Sequence, residues 1–236
     1  MSQRFFCPEP VVYRSGEPCV CRLQGDEARH ATRVMRLGAG DAVTLFDGTG
    51  WEYTAVVRSV ARSEIELVVT AAESIDREAP VRVTLGVAMP KGDRQKVLVE
   101  KLTELGVACL TPLVTERSVA QPKASGVEKL RRTVIEASKQ CGRNRLMQID
   151  EPTPLQAFLE RCDADRRLIA HPHRDRQAPA TSVEGPVAVA IGPEGGFTED
   201  EVAAAEAAGW GAVSLGRAIL RVETAAIAAA ARFGCP

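Results

Sequence analysis

The chain is poor in the residues that announce a metal or a disulfide framework. It has three histidines, His30, His171 and His173, and seven cysteines with no C-x-x-C pair. An odd cysteine count without paired spacing argues against a disulfide scaffold and a zinc site, and for a reducing compartment. The His171-Pro172-His173 pair has no third ligand nearby, so no metal is expected. Net charge is −1, from 30 basic and 31 acidic residues, so bulk electrostatics give no sign of nucleic acid. A polyanion would have to be held by local basic patches. The first residues, MSQRFFCPEP, lack the apolar segment of a signal peptide, and no apolar run reaches the length of a membrane span. A soluble, cytoplasmic protein with no membrane partner is expected. Two familiar phosphate cradles are missing as well. There is no Gly-Lys-Ser/Thr triplet, and the most glycine-rich loop is spaced G-x-x-G-G rather than G-x-G-x-x-G.

That loop is the most informative stretch present. Gly192-Pro193-Glu194-Gly195-Gly196 lies between an apolar run, 187–191, and a helical pattern that starts near Thr198. It reads as a strand, a tight loop and a helix start, with Thr198 and Glu201 spaced as a capping box. Glycine serves where the chain needs positive φ or where something touches the backbone. A second glycine loop, 215–221 (LGRAILR), follows and also runs into a helix. One such loop can be an ordinary Gly-Pro turn. Two near the end of an α/β pattern suggest a small-molecule site made largely of backbone.

The chain divides by pattern. Residues 1–72 read as a small strand-rich domain, with strands near 43–47, 51–60 and 64–70 and a hairpin signal at Asp47-Gly48-Thr49-Gly50. A helix over 26–35 presents Arg29, Arg33 and Arg36 at i, i+4, i+7, on one face. No lysine precedes Lys91, so every cation of this domain is arginine, whose planar fork suits phosphate. A solvated helix face is the plainer account of the same three charges. Residues 73–80 read as a linker. Beyond it, over 81–236, strands at 81–88, 107–114 (broken by Pro112), 167–170, 187–191 and 212–215 alternate with helices at 93–105, 127–141, 154–161, 199–208 and 223–233. That alternation implies a mostly parallel sheet covered on both faces. The helix at 127–141 carries Lys129, Arg132 and Lys139 on its outer face, with Arg143 just beyond. The last helix is nearly all alanine, suited to a crowded interior or a subunit contact.

Residues from end to end resemble one family. The segments 191–197 (IGPEGGF) and 215–225 (LGRAILRVETA) are similar to the signature of the RsmE family, the 16S ribosomal RNA uracil-N3 methyltransferases of the SPOUT class. Arg4-Phe5-Phe6, 30–37 (HATRVMRL), 90–94 (PKGDR), 101–107 (KLTELGV), 115–118 (TERS) and 136–143 (EASKQCGR) follow the same pattern in order. Val222, Met35 and the Arg131-Arg132 pair depart from it. The resemblance implies a SPOUT-type parallel sheet with a C-terminal trefoil knot, a small N-terminal PUA-like β-barrel that grips RNA, and a homodimer. Its substrate would be 16S ribosomal RNA within the small ribosomal subunit. It implies S-adenosylmethionine held by Ala170, Ile191, Gly192, Gly195, Gly196, Leu215, Gly216, Arg217, Ile219 and Leu220. Arg221, Glu194 and Arg117 become candidate catalytic groups, with Glu223 a further possible base. Arg4, Arg29, Arg33, Arg36, Lys91, Arg94, Lys139 and Arg143 become phosphate contacts. Uracil N3 must lose a proton before it attacks, so a base or a cation that stabilises the anion is required. The same class acting on another RNA or atom, a non-catalytic ribosome-assembly factor, and a generic nucleotide-binding α/β enzyme are the competing readings.

Overall fold

A computed structural model describes residues 3–17, 19–61, 63–118, 124–172 and 185–234. His173 and Cys235 lie outside these. The chain forms two compact units: 1–77 with 138–146, and 78–137 with 147–236.

The first unit is a five-stranded sheet in the order β1-β3-β4-β5-β2. β1 (Arg4–Phe6) runs parallel to β3 (Ala42–Phe46). β4 (Trp51–Val60), β5 (Glu64–Ser74) and β2 (Cys19–Gln24) are antiparallel to their neighbours. Alternate residues turn inward, as a period of two demands: Val43 and Leu45, Tyr53, Ala55 and Val57, Ile65, Leu67 and Val69 are all buried in one cluster. Two register shifts between β4 and β5, at Thr54/Ala55 and Val57/Ser59, are bulges, which bend the sheet and increase its twist. The β3–β4 turn is clasped by Asp47, which accepts from the backbone and hydroxyl of Thr49 (3.0 and 2.6 Å), from Val11 N (3.1 Å) and from Tyr53 Oη (2.9 Å). Partial burial pushes the Asp47 carboxyl upward, but these four donors together hold it below the usual carboxylate range.

The helix expected over 26–35 is two pieces. α1 (Gly25–Arg29) gives way to a π-helical turn over His30–Val34, and Arg36 stands beyond it with φ of 54°. The wider turn and the left-handed residue break the i, i+4, i+7 geometry that would put Arg29, Arg33 and Arg36 on one face.

Residues 138–146 belong to this unit because polar groups tie them in. Asn144 Nδ2 donates to Ile75 O (3.1 Å), and Arg4 donates to Asn144 Oδ1 and to Arg143 O (3.3 Å).

The second unit is a parallel sheet. Its order is β12 (Gly211–Val213), β10 (Arg166–Ala170), β11 (Val187–Ile191), β6 (Val83–Val87), β7 (Cys109–Val114), β8 (Gln148–Ile149), with β9 (Thr153–Pro154) also on β7. β11 is buried at all five positions, as a central strand covered on both faces requires. β7 runs unbroken through Pro112, contrary to the expected break. Pro112 falls between the residues paired to β8 (Cys109, Leu110) and those paired to β9 (Leu113, Val114), where a missing N–H interrupts no ladder on that edge.

α2 (Arg94–Glu104) ends at Gly106, whose φ of 77° stops the helix. α3 spans Ala124–Cys141, three residues earlier than its periodicity suggested. α4 (Leu155–Arg161) and α5 (Glu199–Ala207) pack together, with Phe158, Leu159, Val202, Ala205 and Trp210 in one apolar cluster with Ile169, Ala188 and Ala190 of the sheet. Gly86 admits this packing. A Cβ there would lie 2.6 Å from the Phe158 ring. The alanine-rich helix α6 (Val222–Gly234) lies against α2, β6 and β11, with Ala226, Ala229 and Ala230 fully buried. These three alanines serve close packing inside the unit, while Ala225 and Ala228 are half-buried and Ala231 is exposed. Among the described residues no helix is long and apolar enough to cross a membrane.

Candidate functional site

Three neighbouring strands, β12, β10 and β11, end on the same side because they are parallel. Their carboxyl ends release three segments together, the place where open α/β sheets bind ligands. β10 delivers Ala170, His171 and Pro172. β11 delivers the 192–197 loop, and β12 the 214–221 loop. They enclose a cavity of about 400 Å³.

The 192–197 loop is tied to itself. Gly196 N donates to Pro193 O (2.8 Å), and Gly196 has φ of 68°, which a side chain would disfavour. Phe197 then plugs into the core, and the capping box forms as its spacing predicts: Glu201 N donates to Thr198 Oγ1 (3.2 Å) and Thr198 N to Glu201 Oε2 (2.9 Å). The second loop is pinned where Ser214 Oγ donates to Gly216 O (2.9 Å) and Arg232 of α6 donates to Ser214 O (2.9 Å). A third loop, 115–118, follows β7. It is closed by Ser118 Oγ, which accepts from Thr115 N (3.0 Å), and Arg117 Nη1 reaches Gly195 O (2.8 Å).

The cavity is lined by eleven of the residues singled out from sequence: Arg117, Glu194, Ala170, Ile191, Gly192, Gly195, Gly196, Leu215, Gly216, Ile219 and Leu220. Arg217 and Arg221 are not among its lining residues, and both are exposed. Arg221, a candidate catalytic group by resemblance, therefore stands outside the cavity lining. Val222, which departs from the family pattern, does line the cavity, as do Pro193, Phe197 and Glu199. Glu199 is missed from sequence because in the first turn of α5 it reads as a helix-dipole residue.

The basic residues separate into three groups. Arg29, Arg33 and Arg36 are exposed, and Arg29 pairs with Asp26. Lys91 is exposed in the turn before α2. Arg94 is drawn to carboxylates instead: Nη2 lies 3.1 Å from Glu194 Oε1, and Nη1 lies 3.7 Å from Glu223 Oε2, a buried oxygen with no hydrogen bond among the described residues. Arg4, Lys139 and Arg143 are not offered to a polyanion. Arg4 is buried against Glu52, Asn144 and the Phe46 ring. Lys139 pairs with Glu27 at 2.9 Å with a side chain 10% exposed, and Arg143 is 4% exposed. A long cationic side chain in a sequence does not reveal whether its head reaches water or a buried partner.

Known proteins share this architecture. A family model described as an RNA methyltransferase domain matches residues 77–234, and one described as an RNA methyltransferase PUA domain matches 23–70. The chain is 32% identical to a ribosomal RNA small subunit methyltransferase E of a Synechocystis species, over 88% of this chain and 70% of that one. It is 33% identical to the protein of the same name in Mycobacterium bovis, over 91% and 86%. A crystal structure of a ribosomal RNA small subunit methyltransferase E from Neisseria gonorrhoeae bound to S-adenosyl methionine superposes with a TM-score of 0.87, at 31% identity, covering 98% of this chain and 96% of that one. The likeness extends through both units and includes the segments that wall the cavity, so the chain belongs to the ribosomal RNA small subunit methyltransferase E family of RNA methyltransferases.

Proposed function

We propose that the protein transfers a methyl group from S-adenosylmethionine to N3 of a uridine in 16S ribosomal RNA of the small ribosomal subunit. The observation that carries this reading is the cavity at the carboxyl ends of β10, β11 and β12, walled by two glycine loops within the segment that matches the methyltransferase domain. Its lining suits a ligand without phosphate. Among the described residues that line it, Arg117 is the one arginine and there is no lysine; Ile191, Leu215, Leu220 and loop main chain offer an apolar slot with backbone donors and acceptors for adenine. Glu194 and Glu199, as carboxylates in the lining, would favour a bound sulfonium cation. When bound, S-adenosylmethionine supplies a methyl carbon on a sulfonium sulfur, open to direct displacement.

The chain's own residues do the rest. The two loops fix the line between donor and base, the proximity effect that can reach about 7–11 kcal/mol in the best cases. Glu194, at the rim and steadied by Arg94, takes the N3 proton. Arg117, anchored on Gly195 O, holds the negative charge that develops on the uracil oxygens. Arg221, exposed beside the cavity loop, is left to the RNA backbone, with Arg29, Arg33, Arg36 and Lys91. The same reading gives the C-terminal segment a trefoil knot, a rare exception to unknotted topology. It makes the first unit a PUA-like barrel that grips RNA, and the protein a cytoplasmic homodimer; family membership supports each of these.

Titration calorimetry with S-adenosylmethionine tests the cofactor, and absence of binding removes the methyltransferase reading. Nucleoside analysis of 16S ribosomal RNA from a strain lacking the protein tests the target. Loss of N3-methyluridine is expected. Its retention refutes the assignment.

A further inference from the structure

One carboxylate, that of Glu201, is shared between two segments. Its Oε2 accepts from Thr198 N at 2.9 Å, which completes the capping box of α5. Its Oε1 accepts from Glu116 N, also at 2.9 Å, in the loop that follows β7. A capping box needs only the first of these bonds. The second fastens the residue next to Arg117. Arg117 in turn donates to Gly195 O at 2.8 Å, and Gly195 belongs to the loop that Thr198 ends. The bonds close a circuit: Glu201 to Glu116, through the chain to Arg117, across to Gly195, and along the loop to Thr198 and back to Glu201.

Gly195 explains the seat of the arginine. A Cβ at 195 would meet Arg117 Cδ at 3.4 Å and Cβ at 3.6 Å, so the arginine stem lies along the face where the glycine has no side chain. Arg117 is otherwise exposed, and an exposed arginine samples many rotamers. A guanidinium carries five N–H donors, and one bond, to Gly195 O, accounts for one of them. Seated in this way, the remainder of the fork stands at the cavity wall.

We propose that Glu201 is a positioning residue for Arg117: its carboxylate straps the 115–118 loop to the start of α5 and so sets the guanidinium at the cavity. The proposal rests on the methyltransferase reading of that cavity, though the strap is a geometric claim of its own. Thr198 supplies the control. Thr198→Ala removes the other half of the capping box and leaves the Glu201–Glu116 bond in place.

The full-length protein and its variants are assayed with labelled S-adenosylmethionine and small ribosomal subunits from a strain lacking the enzyme. Amide hydrogen exchange at Glu116 is measured in parallel, with thermal unfolding as the check on folding. Glu201→Ala is expected to lower kcat/KM by about tenfold or more, the scale of one charge-assisted hydrogen bond. Glu201→Gln, which keeps one acceptor oxygen, falls between Glu201→Ala and wild type. Thr198→Ala, which loses a helix cap but keeps the strap, loses clearly less activity than Glu201→Ala, with any fall in stability read from thermal unfolding. In the Arg117→Ala background, Glu201→Ala costs nothing further, because the group it positions is gone. Equal losses for Thr198→Ala and Glu201→Ala, or losses that multiply with Arg117→Ala, overturn the proposal and leave Glu201 a helix cap. If the wild type transfers no methyl group, the methyltransferase reading fails, and the Glu116 amide still judges the strap. Its exchange rises about tenfold or more in Glu201→Ala and stays unchanged in Thr198→Ala, and equal exchange in the two variants rejects the strap.

Discussion

Two glycines, one in each cavity loop, should respond to the same substitution in opposite ways. At Gly192 the protein itself leaves no room. An added Cβ would stand 3.1 and 3.2 Å from ring carbons of Phe197 and 3.2 Å from Phe197 N. Neither can retreat cheaply. The ring is buried among Phe158, Val202 and Trp210, and the backbone is held by the Gly196–Pro193 bond and the capping box. Overpacking of this kind costs about 1–3 kcal/mol, which lowers the unfolding temperature by roughly 2–12 °C for a chain of this size. At Gly216 no atom of the described residues, its own chain neighbours aside, lies within 4 Å of the added Cβ, and its backbone is not in the left-handed region. Gly216→Ala should therefore leave stability unchanged or raise it by about 0.4–1 kcal/mol. The space it fills borders the cavity, so the methyl group competes with the ligand. A loss of at least about tenfold in S-adenosylmethionine affinity is expected, near 1.4 kcal/mol. Scanning fluorimetry without and with saturating S-adenosylmethionine, followed by calorimetry, separates the two effects. Gly192→Ala should melt early without ligand. Gly216→Ala should melt normally but lose the ligand-induced shift. A Gly216→Ala protein that binds as wild type does would refute the claim that this loop's backbone is a ligand surface.

Arg4→Met should destabilise the first unit by about 3 kcal/mol, the low end for breaking a buried pair, because Arg77 still holds Glu52 at 2.9 Å; urea unfolding measures it, and an unchanged midpoint would return Arg4 to the RNA-contact group. Asp47 is titrated below its ordinary range in the folded state, so it contributes stability above the usual carboxylate pKa of about 4 and loses that contribution as pH falls through the lower folded value. Asp47→Asn should flatten the acid limb of the unfolding profile, and an unaltered limb would mean that its four donors are not what holds it ionised. The paired change Arg33→Glu/Arg36→Glu should weaken binding to small ribosomal subunits and make the log–log salt dependence shallower by roughly 0.7–0.9 for each phosphate that the arginines no longer neutralise. Filter binding across a salt series checks this, and an unchanged slope would remove these residues from the RNA face.

Where a local pattern is self-sufficient, the sequence located it closely. The run 187–191 is β11 to the residue, because five apolar positions between Pro186 and Gly192 have no other stable use than a buried parallel strand. Thr198 and Glu201 formed their capping box, since all four groups lie within one turn. Glycine spacing in 192–196 and 215–221 was enough to suggest one backbone-walled site and to dismiss the familiar phosphate cradles. The edge strands β1 and β2 were not legible. β1 is three residues long, and it is a strand only because β3 lies beside it.

What the tertiary structure decided was the fate of charge and the joining of distant segments. Arg4, Lys139 and Arg143 look like RNA contacts in one dimension, yet each side chain is drawn inward, and for Arg4 and Lys139 the partner is a carboxylate far along the chain, Glu52 and Glu27. Arg94 turns to Glu194, a hundred positions away, and Arg117 seats itself on Gly195. No periodicity encodes such pairs, because a carboxylate and a guanidinium carry the same letters whether they meet each other or water. The sequence by itself marked two glycine loops as the walls of one candidate small-molecule site. The parallel order of β12, β10 and β11 decided that they border the same cavity, since only strands that end side by side bring their loops together.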